Sequence, residues 1–359
     1  SLASIIVAGC GDPAIDCGGG SGPIVRFDAP RGALDSLVAH PWPSDGLLQA
    51  DDRVRLSHFP NPTGSTTLQD YLQVFATEIR GFSTSAAIYL GFSEPMAPSS
   101  FPGDPGVALT SEAGVFLGDI DARSPERGRR FPLQLRYGTA ATVYLPAHHL
   151  IALPPFGATL RANTTYALLL TSRVMGTSGL PLRRSPRFAA SIEAEACSSN
   201  GEEALSAYEP LAAWLRTQPN AHEIVGGTVF TTRDAVDEIR TLADAVRAAP
   251  VPTASDWRTL MPSTFARRYE AQIELPAFQS GQRPYATLGD GGGLVRTSDG
   301  FAVDHQETAR LAVALPQQSA MPPDGWPVVL YSHGTGGNYQ SVFDAAVADS
   351  LAAQGIASI

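Results

Sequence analysis

Short runs of β-branched and aromatic residues alternate with Pro, Gly, Asn and Asp between residues 23 and 188. This spacing predicts strands joined by tight turns, the pattern of an all-β sandwich. The clearest predicted strands are 86–92, 114–118, 131–137, 141–145 and 165–171. We therefore predict a β-sandwich over residues 23–190.

Over residues 191–255 the pattern becomes helical. Apolar residues recur every three or four positions in 202–216 and again in 232–249, which predicts two amphipathic helices packed on a core. Residues 224–232, between them, are predicted to form a strand. The prolines at 250 and 252 then mark a boundary near residue 255.

The pattern of residues 256–359 predicts the opening of a parallel sheet. Residues 269–275 and 308–316 read as strands, and 328–331 is a short apolar run typical of a strand buried on both faces. A helix over about 339–354 and the start of another strand follow. Strand, helix and strand make one βαβ step, and the predicted sheet does not close within the 359 residues.

Composition narrows the possible functions. Hydrophobic residues make up 43% of the chain, enough for packed cores in two or three domains. The net charge is −10 and no basic stripe is present, which argues against a nucleic-acid partner. The seven histidines are spread out and no Cys/His spacing is typical of zinc, so we expect no metal and no cofactor. All 25 basic residues are arginine, as a GC-rich bacterial source would favour.

The chain begins with a short apolar run that ends in small residues and a cysteine. Its last four residues, Val7-Ala-Gly-Cys10, resemble the lipobox of bacterial lipoproteins. That resemblance implies cleavage before Cys10 and acyl chains on its thiol and amine. The glycine-rich residues up to 22 predict a flexible tether, so 1–22 reads as a signal remnant plus tether. The alternative is a small-residue strand with a free cysteine.

The other two cysteines, Cys17 and Cys197, form a possible disulfide in an oxidising compartment. Both lie in polar stretches and are predicted to be exposed. The sequence does not show whether they meet, so the pairing stays open.

Directly after the strand 328–331 comes the glycine turn His333-Gly-Thr-Gly-Gly337. It resembles the oxyanion-hole loop of α/β-hydrolases, whose backbone N–H groups face the substrate oxygen. The resemblance implies that the N–H of Thr335, or alternatively of Gly336, is one donor. Gly334, Gly336 and Gly337 would shape the loop, and His333 would orient it rather than act as a base. The alternative is a glycine turn in an unrelated βαβ protein.

The rest of a hydrolase site is missing from the sequence. In that family the nucleophile lies on a Gly-x-Ser-x-Gly elbow, followed by the acid and the histidine. The nearest strings, Gly19-Gly-Ser-Gly-Pro23 and Gly176-Thr-Ser-Gly-Leu180, lack the closing glycine and precede the turn. We therefore predict that the 359 residues alone do not hydrolyse an ester.

The order of tether, sandwich, helices and glycine turn resembles the bacterial virulence-factor lipase group, here truncated at both ends. The likeness rests on Phe27, His40–Asp45, Gly81–Thr84, Asn163–Tyr166, Thr228–Thr232 and His333–Gly337. It implies an N-terminal Ig-like domain, a first part of an α/β-hydrolase domain over 256–359, and a serine esterase or lipase acting on carboxylic esters. A lipid anchor would hold it at the bacterial outer membrane or cell surface. The alternative is a non-catalytic Ig-like binding or adhesion lipoprotein with a degenerate hydrolase part.

Overall fold

The computed structural model describes residues 15–30, 34–197 and 204–359. Its fold mixes several β-sheets with helices, which confirms the prediction of a mixed class. The chain divides into two compact units, residues 1–235 and 236–359. This boundary differs from the predicted ones at 190 and 255, because the strand predicted over 224–232 joins a sheet of the first unit.

Over its described residues, the first unit contains seven strands and four α-helices. The strands are β1 (Ile88–Gly91), β2 (Val115–Asp119), β3 (Arg130–Phe131), β4 (Gln134–Gly138), β5 (His149–Leu153), β6 (Thr165–Thr171) and β7 (Ile224–Thr231). The helices are α1 (Thr66–Glu78), α2 (Pro186–Ile192), α3 (Ala194–Cys197) and α4 (Glu209–Leu215).

Two antiparallel sheets, ordered β1-β5-β4 and β3-β2-β6-β7, share one hydrophobic core. Leu90 and Leu150 enter it from the first sheet, and Leu117 and Leu168 enter it from the second. Burying such apolar surface is the main favourable contribution to folding. The predicted sandwich of residues 23–190 therefore corresponds to two sheets that need β7, from outside that range, to be complete.

The second sheet is covered on its outer face as well. Phe116, Leu169 and Val229 point away from the first sheet and pack with residues of α2 and α4 in a second core. Residues 166–170 of β6 are fully buried, with both faces covered. The helix predicted over 202–216 is represented by α4, which packs with α2 as a third layer on this sheet.

Two of the predicted strands are interrupted by local chemistry. The predicted strand 131–137 splits because Pro132 has no N–H to give to a ladder, and the chain passes there from the second sheet to the first. The predicted strand 141–145 is wrong. The Thr142 hydroxyl accepts hydrogen bonds from the N–H groups of Tyr144 and Leu145, at 3.2 and 2.9 Å, and this turn replaces an extended strand.

The described part of the predicted tether is packed against the first unit instead of being flexible. The Arg183 guanidinium donates hydrogen bonds to the carbonyls of Gly18 and Gly22, both at 3.1 Å. Gly18 has a φ of +89°, and a Cβ there would lie 2.6 Å from the nitrogen of Pro186. Glycine is therefore required here for close packing and a positive φ. The prediction of a flexible tether, made from glycine content alone, did not take these two requirements into account.

The second unit contains α5, nine strands and two short helices. The helices are α5 (Ala235–Ala248), which begins at the unit boundary, α6 (Ser341–Asp344) and α7 (Val347–Ala353). The strands are β8 (Ala254–Thr259), β9 (Ala266–Ala277), β10 (Gln279–Gly281), β11 (Gly291–Leu294), β12 (Arg296–Thr297), β13 (Gly300–Phe301), β14 (His305–Pro316), β15 (Val328–Val329) and β16 (Ala357–Ser358).

Five of these strands form a mixed sheet in the order β15-β16-β14-β9-β8. Only β15 and β16 are parallel, so the predicted parallel sheet is reduced to one parallel pair. The helices α6 and α7 connect these two strands and pack on the sheet through small side chains, including Ala312, Ala314, Ala348 and Ala352. Small residues let the helices lie close to the strands.

Three predictions for this unit are corrected. The strand predicted over 328–331 lies at the sheet edge and is not buried on both faces: Val328 is 58% exposed and Leu330 is 82% exposed. The helix predicted over 339–354 breaks at Ala346, whose φ is +55°, although neither Gly nor Pro is present to signal the break. The helix predicted over 232–249 forms as α5, but none of its residues is buried.

Replacing Leu168 by alanine tests the two-sheet core. Leu168 is fully buried in the core that the two sheets share, so Leu168→Ala is expected to lower the free energy of unfolding by about 2–5 kcal/mol. Urea denaturation followed by circular dichroism measures this. The matched control, Val143→Ala, removes an exposed side chain and is expected to change stability by less than about 0.5 kcal/mol. Equal effects of the two substitutions would contradict this arrangement of the core.

Candidate functional site

The glycine turn predicted from the sequence follows β15 at its carboxyl end. The Gly337 N–H donates to the Gly334 carbonyl at 3.0 Å, which closes a four-residue β-turn. Gly336, its third residue, has a φ of +83°, whereas Thr335 is not among the residues with positive φ. This combination defines a type II turn, which favours glycine at the third position.

Close packing explains a second glycine of the turn. A Cβ on Gly337 would lie 2.8 to 2.9 Å from Cβ, Cγ and Nδ1 of His333. The His333 Nδ1 lies 2.9 Å from the Gly334 carbonyl oxygen, which can only accept, so Nδ1 carries the proton and donates. The imidazole therefore contacts its own turn, in the position expected of a group that orients the loop.

The turn leaves two backbone donors unused. Among the described residues, the N–H groups of Thr335 and Gly336 make no hydrogen bond. Both residues are exposed. Adjacent backbone N–H groups without partners can receive an anionic oxygen, provided that other groups exclude water around them.

The cysteine pair left open by the sequence is joined in the structure. A disulfide links Cys17 to Cys197, with their Cα atoms 5.2 Å apart, and it ties the N-terminal segment to the end of α3. Cys197 is fully buried, which corrects the expectation that it is exposed. Cys10, the predicted lipidation site, lies outside the described residues.

A serine–histidine pair that the sequence did not suggest lies in the first unit. The His40 Nδ1 donates to the Asp28 carbonyl at 2.8 Å, and its Nε2 lies 3.0 Å from the Ser44 hydroxyl. Both side chains have no exposed surface, and burial lowers the pKa of His40 to about 4, so the imidazole is neutral. Ser44 Oγ also lies 3.3 Å from the Tyr208 hydroxyl and accepts from the Gly46 N–H. The pair has no access to a substrate and serves to hold this segment in place.

His58 is also buried, and neither of its ring nitrogens has a hydrogen-bond partner among the described residues. Its ring lies 5.3 Å from that of Phe59 and 6.3 Å from that of Trp42. Burial, with a smaller contribution from the charge of Arg55, lowers the pKa of His58 to about 4. A buried polar group without a partner costs stability, and protonating it would cost more.

A cavity of about 620 Å³ lies beside Asp45 in the first unit. The Asp45 carboxylate accepts two hydrogen bonds from Thr231, from its N–H and from its hydroxyl, both at 2.7 Å. Burial raises the pKa of Asp45 to about 6, although these hydrogen bonds act in the opposite direction. Sequence reasoning named His40–Asp45 and Thr228–Thr232 only as family signatures. It had no signal that the two segments meet, since 186 residues separate Asp45 from Thr231.

Comparison with known proteins adds little to this geometry. The chain matches no family model and no curated protein. Among solved structures it is similar to the N-terminal part of the bacterial S-layer protein SbsC, with 9% identity and a TM-score of 0.21 over 71% of this chain and 47% of that one. It is similar at the same TM-score to the S-layer protein rSbsC(31-844) and to surface layer protein SbsC, domains 1-6, with 9% and 8% identity. These two similarities cover 70% and 71% of this chain, respectively, and 27% of each S-layer chain.

The described residues provide neither a metal site nor a membrane-spanning helix. They contain no group of three or more His, Cys, Asp or Glu side chains placed to hold a metal ion. None of their helices combines the length and hydrophobicity needed to cross a bilayer.

Replacing His58 by phenylalanine tests the cost of its burial. Because the folded-state pKa of His58 lies near 4 and the unperturbed value is 6.5, the unfolded state binds more protons between these pH values. The contribution of His58 to stability therefore falls as pH drops from about 6.5 to 4, whereas that of Asp45, whose pKa is raised to about 6, changes in the opposite direction. We expect His58→Phe to reduce this loss of stability. Part of the loss should remain, because burial also lowers the pKa of His40 to about 4. Denaturant midpoints at pH 7 and pH 4.5 measure the difference.

The control for this experiment is His222→Gln, at an exposed histidine. It should leave the pH dependence of stability unchanged. If His58→Phe and His222→Gln show the same pH dependence as the wild type, His58 is not held neutral by burial.

Proposed function

We propose that residues 256–359 form the first part of an α/β-hydrolase domain, and that the protein containing them hydrolyses carboxylic esters through a serine nucleophile. The observation that carries this proposal is the type II turn at the end of β15, with the N–H groups of Thr335 and Gly336 free of partners in the described structure. Ligands of α/β sheets bind outside the carboxyl ends of strands, which is where this turn lies.

The sheet topology supports the proposal. The order β9-β14-β16-β15 is antiparallel at its first two pairings and parallel at the third. This resembles the first four strands of an α/β-hydrolase sheet. The connection from β15 to β16 passes through helices packed on the sheet, as parallel pairing requires.

The free edge of β15 has a defined use in this proposal. Val328 and Leu330 are exposed at that edge, and an apolar sheet edge favours pairing with a further strand. A strand leading into a Gly-x-Ser-x-Gly elbow would cover them and bring the nucleophile beside the turn. The N–H after that serine would be the second oxyanion donor.

In this proposal, ester cleavage depends on charge that develops on the carbonyl oxygen when serine attacks. The Thr335 N–H, or alternatively that of Gly336, would donate to this oxygen. One such donor contributes about 3–4 kcal/mol to lowering the barrier in a water-excluded site. His333 would keep the turn in position through its bond to Gly334 and would not take the serine proton.

The substitution Thr335→Pro tests the proposed N–H donor without disrupting the turn. Thr335 is the second residue of a type II turn, where proline is favoured, so Thr335→Pro removes the N–H and retains the turn. In a product extended along the natural reading frame, we expect kcat for p-nitrophenyl butyrate to fall about 10²–10³-fold with little change in KM. Thr335→Ala, which keeps the N–H, should retain activity. The 359-residue chain alone should show none.

The outcomes distinguish the alternatives. Full activity of Thr335→Pro would show that the N–H of Thr335 is not the oxyanion donor, and the N–H of Gly336 would then be the candidate. If the coding DNA beyond Ile359 contains no Gly-x-Ser-x-Gly elbow, the hydrolase proposal fails and the binding or adhesion lipoprotein becomes the better interpretation.

We also propose a lipid anchor at Cys10 and a location at the bacterial outer membrane or cell surface, on the lipobox-like Val7-Ala-Gly-Cys10. Several acyl chains are needed for stable anchoring, since a single chain holds only weakly. Made in a bacterial host with a functional leader, the protein should enter the detergent phase of Triton X-114.

Cys10→Ser should leave the protein in the aqueous phase of the same partition. Cys17→Ser, which changes a neighbouring cysteine and keeps Cys10, should stay in the detergent phase. Equal partitioning of wild type and Cys10→Ser would remove the anchor from the proposal.

A further inference from the structure

The cavity beside Asp45 lies where several segments distant in sequence meet. Residues 45–46, at the end of the His40–Asp45 motif, line it together with Gly81, Asn163 and Thr231. The hydrolase proposal assigns no role to any of them. All the residues that line the cavity belong to the first unit, so what it binds is independent of the ester chemistry proposed for the second.

The cavity is lined by charged groups of both signs. Among the described residues that line it, Arg80, Arg187 and Arg233 come from three different segments, and Asp45 and Asp52 are acidic. Arg80 is exposed and its side chain has no partner in the described structure. A guanidinium presents paired N–H groups that match a carboxylate.

Asp45 supplies hydrogen-bond acceptors for a ligand. Thr231 supplies two hydrogen bonds to its carboxylate, and among the described residues no arginine or histidine forms an ion pair with it. Two carboxylate oxygens can accept about four hydrogen bonds, which leaves capacity for ligand donors. A ligand hydroxyl would fill that capacity without bringing a second charge next to Asp45.

The described lining offers few large apolar side chains. Leu48 and Leu205 are its large aliphatic side chains, and no aromatic residue is among the described residues that line it. Asn163 adds an amide that both donates and accepts. The volume of about 620 Å³ is within the range of small-molecule sites.

We propose that this cavity binds an acidic sugar, with the carboxylate of the sugar on Arg80 and its ring hydroxyls on Asp45 and Asn163. This assignment uses both signs of charge in the cavity, which a neutral sugar or a simple anion would not. The site is a binding site, and no bond is made or broken in it.

Isothermal titration calorimetry on the full 359-residue chain tests the proposal. Sodium glucuronate, glucose, sodium acetate and inorganic phosphate are titrated at matched ionic strength and pH 7. We expect glucuronate to bind at least about tenfold more tightly than each of the other three, because only glucuronate satisfies Arg80 and Asp45 together.

Two variants separate the two ends of the ligand. Arg80→Gln should weaken glucuronate binding about tenfold or more, whereas Arg136→Gln, at an exposed arginine outside the cavity, should leave it unchanged. Asp45→Asn keeps an oxygen that can accept from the Thr231 N–H, and it should weaken glucuronate without changing the response to acetate.

Other results would overturn the inference. Equal affinity for glucose would remove the role of Arg80, and equal affinity for acetate or phosphate would make the cavity a general anion site. No measurable heat with glucuronate, or binding unaffected by both Arg80→Gln and Asp45→Asn, would mean that the cavity does not take this class of ligand.

Discussion

The burial of β6 on both faces is the constraint on which the first unit depends. Both neighbouring strands pair with it along its length, and cores lie above and below it. Such a strand cannot set its register by polarity, since both of its faces are apolar. Shape sets it instead: Leu169 lies opposite Gly227, where a Cβ would come within 2.3 Å of the Leu168 carbonyl oxygen. Shifting β7 by one residue in one direction would place Thr228 at this close approach, where its Cβ would not fit, whereas a shift in the other direction would bring Gly226 there.

Several strands and helices of the first unit could be predicted from the sequence, because the periodicity of apolar residues indicates which residues face a core. The strand predicted over 165–171 coincides with β6, and the helical pattern predicted over 202–216 contains α4. Periodicity does not report what covers an apolar face. For that reason residues 328–331 were expected to be buried, and the apolar positions of α5 were expected to pack on a core, although none of these residues is buried in the structure.

The remaining differences come from single residues whose local chemistry outweighs the pattern. Pro132 ends one ladder and Thr142 replaces another with a turn. Gly18 is in the structure a packed residue with positive φ, although a glycine-rich run reads as a flexible linker. Long-range pairings are beyond sequence reasoning for a different reason. Nothing near Asp45 or near Thr231 indicates the other, so a site built from both is visible only after folding.

The two candidate sites differ in how far the surrounding residues shield their polar groups from water. Donors at Thr335 and Gly336 are exposed to water, which competes for them, so their effect on a reaction depends on further chain that excludes it. Asp45 is partly buried, and burial raises the pKa of its carboxyl, because no cation is placed beside it among the described residues. Its bonds to Thr231 also hold residues 44–46 against β7. A ligand that donates to Asp45 would lower the cost of burying its carboxylate, so occupancy of the cavity and stability of the first unit should rise together.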